Sequence, residues 1–299
     1  MRVLVVQNGV KRTEKLENVH FALKQARSQL AGQPADLIVF GEMFCCAYSP
    51  QSFVASAEEV GDIGTRPAYQ KNSVAHALSA FAQEQQVLVI GGSIPEKKGD
   101  AIYNTCLFFD MEGNIVGKYR KLHMFDVDLR SPSQTQTDSV KSGLRFQESE
   151  VIRRGDLGPC WVDCGPFGKI GVGICFDMRF PELSLALTQE SGGLSVLVYP
   201  AAFSMSTGES HLKLLARARA LDSQAFVIVC SPARSLAAKD FQVYGHSMVV
   251  SPWGEVLKEL DEGVGVIDLE IPVEQAEEAR RKIPLKRRFA VAEIKTDFK

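Results

Sequence analysis

The chain has 299 residues and a formal net charge of −2, and its 45% hydrophobic and 23% charged residues are typical of a soluble globular protein. This balance argues against a nucleic-acid or acidic-membrane surface, and the basic stretch RRKIPLKRRF is interpreted as a solvated helix and tail. No apolar run approaches the roughly 18 residues of a membrane span, and the run in MRVLVVQNGV is too short for a signal peptide. We therefore expect a cytoplasmic protein without a membrane or nucleic-acid partner.

The strand-like runs, in chain order, are RVLVVQ, DLIVF, VLVIGGS, YNTCLFFD, KIGVGIC, LSVLVYP, AFVIVCS, GHSMVVS and GVGVIDLEI. Helical spacing of apolar residues predicts helices at Leu16–Leu30, Ala75–Gln85, Glu182–Gln189, Glu209–Asp222 and Val273–Arg281. A turn signal in DMEGNIVGKY predicts a hairpin. Strands that alternate with helices indicate a layered α/β or α+β fold, and no linker divides residues 1–299, so a single domain is predicted. Leu129–Arg145 is polar and aperiodic and is predicted to be a long surface loop.

The cysteine pattern fits a reducing compartment, because the chain has seven cysteines, an odd number. Five of them lie in apolar runs: Cys45, Cys46, Cys106, Cys175 and Cys230. Cys160 and Cys164 in CWVDC lack the histidines or second cysteine pair of a zinc site, so no metal is predicted.

The stretch GKIGVGICFDMRFPEL places Cys175 where an apolar strand ends and a helix begins, with Pro181 near its first turn. Such a turn exposes a side chain and leaves backbone N–H groups free to bind an oxyanion. A helix N-terminus and Arg179 are both expected to lower the pKa of the thiol. Cys175 alone is therefore either a nucleophile or a structural buried cysteine.

A base for this thiol is sought among the carboxylates, because none of the five histidines stands in a cysteine-protease signature. LIVFGEMF ends an apolar strand on Glu42, and burial would raise its pKa toward the range of proton transfer; a solvated loop glutamate is the alternative. The stretch GKYRKLHMFD carries a basic group of Lys118, Arg120 and Lys121. On a strand, Arg120 and Lys121 would face opposite ways, so one of them can point inward and hold an anion. A basic surface loop is the alternative.

Glu42 at a strand end, then YRKLH, then GICFDMRFPE, in this order, resemble the nitrilase superfamily of carbon–nitrogen hydrolases. The resemblance extends from RVLVVQ through YGHSMVVSPWGEV to RRFAV. It implies an α-β-β-α sandwich with a Glu-Lys-Cys triad, here Glu42, Lys121 and Cys175. A second glutamate is also implied, and Glu148 in FQESEVIRRGD, rather than Glu150, is in register to orient the lysine and the reacting water.

The mechanism implied by the resemblance needs no metal or organic cofactor. Glu42 takes the thiol proton, Cys175 attacks an amide carbon, and Lys121 with the backbone N–H of Phe176 holds the oxyanion until water hydrolyses the thioester. Homodimers or larger assemblies, packed through helices near the active-site face, are implied as well. Two features depart from the usual pattern: Gly41, where many members have proline, is expected to loosen the approach to Glu42, and the long Leu129–Arg145 loop lies at the expected entrance.

GICFDMRFPE, FQESE, VYPAAFSMSTG and CSPAR most resemble the ω-amidase branch, which implies hydrolysis of α-ketoglutaramate and α-ketosuccinamate. Arg179 is placed to bind the far carboxylate of such a substrate in bidentate fashion, with a surface ion pair as the alternative. Tyr48, Phe203 and Thr207 match pocket-lining positions of this branch, although an aromatic residue after a strand is also typical of a core.

Three other functions stay open. A sibling branch acts on deaminated glutathione and shares MRFPELSLAL and YGHSMVVSPWG, whereas SPAR and FQES favour the ω-amidase. A non-catalytic scaffold is disfavoured because every polar catalytic position carries a competent residue. A true nitrile hydrolase is disfavoured because FDMRFPE does not resemble those members.

Overall fold

The computed structural model describes residues 1–11, 15–128, 145–235 and 241–286. In chain order the strands are β1 (Arg2–Gln7), β2 (Leu37–Phe40), β3 (Leu88–Ile90), β4 (Ile94–Lys98), β5 (Ala101–Phe109), β6 (Ile115–Arg120), β7 (Asp126–Asp128), β8 (Arg145–Gln147), β9 (Cys160–Asp163), β10 (Lys169–Val172), β11 (Val196–Pro200), β12 (Phe226–Cys230), β13 (Met248–Val250), β14 (Val256–Glu259) and β15 (Gly265–Glu270). The helices are α1 (Lys15–Leu30), α2 (Pro50–Ser56), α3 (Val74–Gln85), α4 (Pro181–Ser191), α5 (Met205–Thr207), α6 (Lys213–Ser223) and α7 (Glu274–Lys282).

Two large sheets carry most of these strands. The first has the order β15-β1-β2-β3-β5-β4, with β6 paired to β5, and the second has the order β14-β13-β12-β11-β10-β9. Parallel pairs lie at the centre of each sheet, such as β1 with β2 and β11 with β12, while antiparallel strands complete the edges. β7 and β8 form a separate two-stranded ribbon.

Alternation along the strands explains how the layers stack. In β1, Val3 and Val5 pack into the core shared with the second sheet, whereas Leu4 and Val6 pack with residues of α1 and α3. Each fully buried aliphatic side chain of this kind stabilises the fold by about 1.5–3 kcal/mol. On the other side, α4 and α6 pack against each other and cover the second sheet. The order helices, sheet, sheet, helices is the predicted α-β-β-α sandwich.

The predicted elements agree with the structure where the apolar pattern is strong. α1, α3, α4 and α7 fall within two residues of the predicted bounds, and the predicted hairpin joins β5 to β6 with Gly113 at φ 82°. The helix predicted at Glu209–Asp222 differs, because Gly208–Leu212 forms a π-helical turn before α6. α2, β4, β9 and β14 are short or partly polar and were not predicted.

The predicted Leu129–Arg145 loop and the predicted single domain both extend beyond the described residues. Of the Leu129–Arg145 loop, only Arg145 lies within the described residues, where it begins β8. The single domain over residues 1–299 stays a prediction. No helix in the described ranges is both long and apolar enough to cross a membrane.

Candidate active site

Three predicted polar residues from separate segments meet in the interior. The Nζ atom of Lys121 lies 2.9 Å from Oε1 of Glu42 and 2.8 Å from Oε2 of Glu148. All three side chains are completely buried. Buried charges require partners, and here one ammonium group bridges two carboxylates.

Glu42 is held by tight backbone packing where β2 ends. A Cβ atom on Gly41 would come within 2.8 Å of Pro232, and one on Gly92, at φ 61°, would come within 2.2 Å of the Gly41 carbonyl oxygen. Neither position accepts a larger residue without a shift of the neighbouring chain. The expectation that Gly41 loosens the approach to Glu42 is therefore wrong: the proline of another segment fills the space beside this glycine.

Lys121 follows directly after β6, and its neighbour Arg120 points to a different set of partners. The Arg120 guanidinium donates from Nε and Nη2 to Glu96, at 2.8 and 2.7 Å, and is itself buried. The sequence predicted that one of the two cations would point inward; both are buried, on opposite sides of the strand. This second cluster anchors the end of β6, and Lys118 also contacts Glu96 within it.

Asn104 on β5 was not predicted, yet it joins the same cluster. Its side-chain Nδ2 donates to Glu42 at 2.9 Å and to Glu148 at 3.1 Å, and its backbone carbonyl oxygen accepts the backbone N–H of Lys121 at 2.9 Å. The residue is fully buried. The only sequence signal was a polar residue inside the apolar run YNTCLFFD, which a sequence pattern alone does not distinguish from an ordinary strand residue.

Burial and mutual charge set the protonation of this cluster. Burial raises the pKa of Glu42, the ammonium of Lys121 opposes that shift, and the pKa stays above its usual value. Burial alone would lower the pKa of Lys121, but the charges of Glu148 and Glu42 outweigh it and raise this pKa. Lys121 is therefore a permanent cation, and Glu42 is a carboxylate of increased basicity.

Cys175 is the third residue after β10 and begins a short 3₁₀ turn, Cys175–Arg179, which precedes α4. Its φ of 46° is a left-handed conformation that costs a residue with a side chain about 1–3 kcal/mol. The backbone N–H of Ala202 donates to its Sγ atom at 3.4 Å. Strained backbone of this kind is common where a side chain must be held in one direction.

The thiol of Cys175 does not have the lowered pKa that the sequence indicated. Burial raises this pKa well above the ordinary value, and the negative charge of Glu42 adds to the shift, although Lys121 opposes it. The sequence could identify the neighbouring positive groups, but it could not give the depth of burial. The resting residue is thus a neutral thiol beside a base.

The Glu42 carboxylate can receive that proton. Oε1 already accepts hydrogen bonds from Lys121, Asn104 and, at 3.3 Å, the hydroxyl of Tyr48. Oε2 has no hydrogen-bond partner among the described residues. Proton transfer to Oε2 would therefore break none of the bonds that position Glu42.

The predicted pocket-lining residues lie in different surroundings. Tyr48 is buried and stacks on Phe241 with ring centroids 4.9 Å apart, and Phe203, the third residue after β11, is buried. Phe176 is half-buried in the Cys175–Arg179 turn. Thr207 ends α5, half-buried, and its hydroxyl lies 3.3 Å from that of Ser204.

Arg179 is a half-buried cation in an apolar setting. Its guanidinium carbon lies 5.3 Å from the ring centre of Phe203 and 5.7 Å from that of Phe176, and burial lowers its pKa. Its Nη1 atom is 3.1 Å from Nδ1 of His211, in the π-helical turn. It forms no ion pair with a carboxylate in the part of the chain that the structure describes, so the surface ion pair considered from the sequence is not seen there.

A pocket of about 30 Å³ opens beside Glu42. Its other lining residues are Val10, Met43, Cys46, Ala47, Tyr48, Pro232, Ala233, Ser235, Phe241 and Val243. The space suits one or two water molecules, since each needs about 10–15 Å³ by this measure. Within the described residues there is no cluster of His, Cys, Asp and Glu side chains that could hold a metal ion.

Comparison with known proteins identifies the family of the chain. The carbon–nitrogen hydrolase family model matches residues 2–281. The omega-amidase NIT3 of Saccharomyces cerevisiae is 37% identical over 97% of this chain and 94% of its own length, and omega-amidase NIT2 of Xenopus tropicalis is 38% identical over 91% and 89%. The crystal structure of Saccharomyces cerevisiae Nit3, a member of branch 10 of the nitrilase superfamily, matches with a TM-score of 0.81 and 33% identity over 96% of each chain.

The superfamily resemblance and the sandwich fold inferred from the sequence are thereby confirmed. The roles of the individual site residues stay predictions that the geometry supports. The chain belongs to the carbon–nitrogen hydrolase family of the nitrilase superfamily and is a hydrolase of carbon–nitrogen bonds other than peptide bonds.

Proposed function

We propose that the protein is an ω-amidase that releases ammonia from the terminal amide of α-keto acid amides, with α-ketoglutaramate and α-ketosuccinamate as substrates. The support from relatives is that several proteins at 36–38% identity are named omega-amidase. The observation that carries the proposal is Arg179, a half-buried guanidinium that follows the nucleophile by one turn and has no acidic partner among the described residues. A substrate carboxylate would supply that partner.

The acylation step uses the groups in the arrangement described. Glu42 accepts the proton of Cys175 as the sulfur bonds to the amide carbon, and Lys121 with the N–H of Phe176 binds the oxyanion. The carbon–nitrogen bond then breaks as Glu42 returns its proton to the nitrogen, so ammonia leaves and Glu42 is ionised again. No cofactor enters this step.

The deacylation step repeats the proton transfer with water. Glu42 takes a proton from the water that attacks the thioester, and the same proton returns to the sulfur as the carboxylic acid product leaves. Glu148, bonded to Lys121 and Asn104, orients the lysine and the water. The pocket beside Glu42 supplies the space for that water.

The test is ammonia release from α-ketoglutaramate beside deaminated glutathione, with Cys175→Ala as the blank. Much faster turnover of α-ketoglutaramate supports the ω-amidase function. Faster turnover of deaminated glutathione would assign the protein to the sibling branch, and no turnover of any amide above the blank would favour a non-catalytic scaffold.

Arg179→Gln is expected to lower kcat/KM for α-ketoglutaramate mainly through KM. Loss of a charge-assisted hydrogen bond worth about 1.5–3 kcal/mol corresponds to roughly a 10- to 150-fold loss. A neutral amide of similar length is the control substrate, and both proteins are expected to hydrolyse it equally. An equal loss on the neutral amide would contradict a role in binding the carboxylate.

We propose further that the protein is cytoplasmic and forms a homodimer or a larger homo-oligomer. An apolar surface supports this assembly: Leu214 and Leu221 on α6 and the neighbouring Trp253 are 65%, 51% and 44% exposed. Sedimentation of the wild type is expected to give at least twice the chain mass, and sedimentation of Leu221→Glu to give a smaller mass. A wild-type mass of one chain would contradict the proposal.

The proposed location in the cytoplasm is supported by the cysteines, because all of those described are free thiols, as expected in a reducing compartment. Cell fractionation tests this location.

A further inference from the structure

Asp177, two residues after the nucleophile, carries an unusually complete set of hydrogen bonds. Its Oδ2 atom accepts the backbone N–H of Ile174 at 2.9 Å and the hydroxyl of Tyr119 at 2.8 Å. Its Oδ1 atom accepts the backbone N–H of His123 at 3.0 Å and lies 2.7 Å from Nδ1 of the same residue. The side chain is completely buried, so these four groups replace its hydration.

The positions of these donors in the sequence are informative. Tyr119 lies two residues before Lys121 and His123 two residues after it, while Ile174 directly precedes Cys175. One carboxylate therefore fastens the segment that carries the ammonium group to the turn that carries the nucleophile. The Asp177 carboxylate is thus bonded to residues on both sides of Lys121 in the sequence.

The turn that Asp177 fastens needs such a restraint. The left-handed backbone of Cys175 is strained, and a strained conformation persists only where the surroundings impose it. The Phe180 N–H donates to the Asp177 carbonyl oxygen at 3.0 Å, and the Phe180 ring stacks on the His123 ring, with centroids 3.6 Å apart. Both ends of the turn are thus tied to the lysine segment.

A direct electrostatic action of Asp177 on the thiol is the alternative. The groups with the largest effect on the pKa of Cys175 are its own burial, Glu42 and Lys121. Asp177 directs both its oxygens to N–H and O–H donors instead. Asp177 therefore acts by holding the two segments in place rather than by changing the pKa of the thiol.

We propose that Asp177 is a positioning residue that sets the distance between the Lys121 ammonium and the Cys175 sulfur. The proposal rests on the proposed function of these two groups and deepens it. Because the oxyanion must meet both the lysine and the turn, a small shift between the segments reduces transition-state stabilisation more than substrate binding.

Asp177→Asn keeps the shape of the side chain but leaves two of the four donors without an acceptor. We expect kcat to fall by about 100-fold, with KM little changed, because a displacement of about 1 Å has that effect on catalysis. Iodoacetamide is expected to alkylate Cys175 of the variant more slowly than Cys175 of the wild type at neutral to alkaline pH. The reason is that Lys121, which lowers the pKa of the thiol, moves away. Peptide mapping measures the extent of alkylation at this cysteine.

The alkylation rate separates positioning from a merely structural role. A loosened fold would expose Cys175 and speed its alkylation, whereas a displaced lysine slows it. Faster alkylation, or wild-type kcat in the folded variant, would overturn the proposal. If the wild type hydrolysed no amide, the proposed function would fail, yet the alkylation comparison would still test the position of Asp177.

A milder pair of variants decides the question if Asp177→Asn does not fold. Tyr119 and Tyr199 are both fully buried, but the Tyr119 hydroxyl donates to Asp177, whereas the Tyr199 hydroxyl has no partner among the described residues. Tyr119→Phe is expected to lower kcat about 3- to 10-fold, the value of one ordinary hydrogen bond, and Tyr199→Phe to leave kcat unchanged. Equal kcat values for the two variants would overturn the proposal.

Discussion

Glu42→Gln is expected to lower kcat for amide hydrolysis by about 10²- to 10⁴-fold, the range for a lost general base. The variant is nearly isosteric, and its amide oxygen can keep the bonds to Lys121, Asn104 and Tyr48. The amide nitrogen then takes the place of Oε2, which has no partner to lose among the described residues. Steady-state kinetics with a thermal unfolding curve for each protein measure the effect.

Glu148→Gln is the matched comparison, because it removes the other carboxylate bound to Lys121. Its kcat is expected to lie between those of Glu42→Gln and the wild type, since Glu148 orients groups but takes no proton from the thiol. If kcat fell further in Glu148→Gln than in Glu42→Gln, Glu148 rather than Glu42 would be the general base.

The pH profile gives a second measure of the same residue. Glu42 must be ionised to accept the thiol proton, and burial raises its pKa. The kcat/KM of the wild type should therefore fall as the pH drops through this raised pKa, at a higher pH than for an exposed glutamate. The acidic limb of the profile reports the ionisation of Glu42 beside the Lys121 ammonium.

Lys121→Met is expected to abolish turnover and to destabilise the fold by about 3–5 kcal/mol, the cost of removing one partner from buried ion pairs. Two buried carboxylates, Glu42 and Glu148, would then face each other without a cation. Urea unfolding measures the loss. The loss of stability should be largest at neutral pH and shrink as the pH falls, because the buried Glu42 carboxyl, whose pKa is raised, takes up a proton on folding.

Lys118→Met is the control for this experiment. Lys118 is also buried and pairs with Glu96, but Glu96 keeps the Arg120 guanidinium when Lys118 is removed. We expect a smaller loss of stability and an unchanged kcat. Similar losses for the two variants would indicate that Lys121 has a structural role alone.

The sequence identified the groups whose positions follow from the ends of strands. Glu42 and Lys121 follow β2 and β6 of the first sheet, and Cys175 follows β10 of the second, so each could be placed at a strand end from the apolar pattern, while their grouping came from the superfamily resemblance. Glu148 was assigned only through its register in the superfamily pattern. The layer order also came from the superfamily, since apolar runs do not indicate which sheets face each other.

Other features depend on contacts between distant residues. Asn104 is one polar residue within an apolar strand, and only the fold shows that it bridges two glutamates. The pKa of the Cys175 thiol was predicted in the wrong direction because burial, which a local motif does not encode, outweighs the nearby cation. Gly41 was misjudged for the same reason: Pro232, which fills the space beside it, lies far away in the sequence.

The neutral resting thiol of Cys175 has a consequence for durability. Peroxides oxidise thiolates rather than thiols, so a nucleophile that stays protonated until an amide is bound is protected from damage to sulfenic and sulfinic acids. Slower loss of activity in peroxide is therefore expected than for a hydrolase with a preformed thiolate–imidazolium pair. General thiol reagents are expected to react slowly with Cys175, and covalent inhibitors that resemble the amide to react faster, because only these trigger the proton transfer to Glu42.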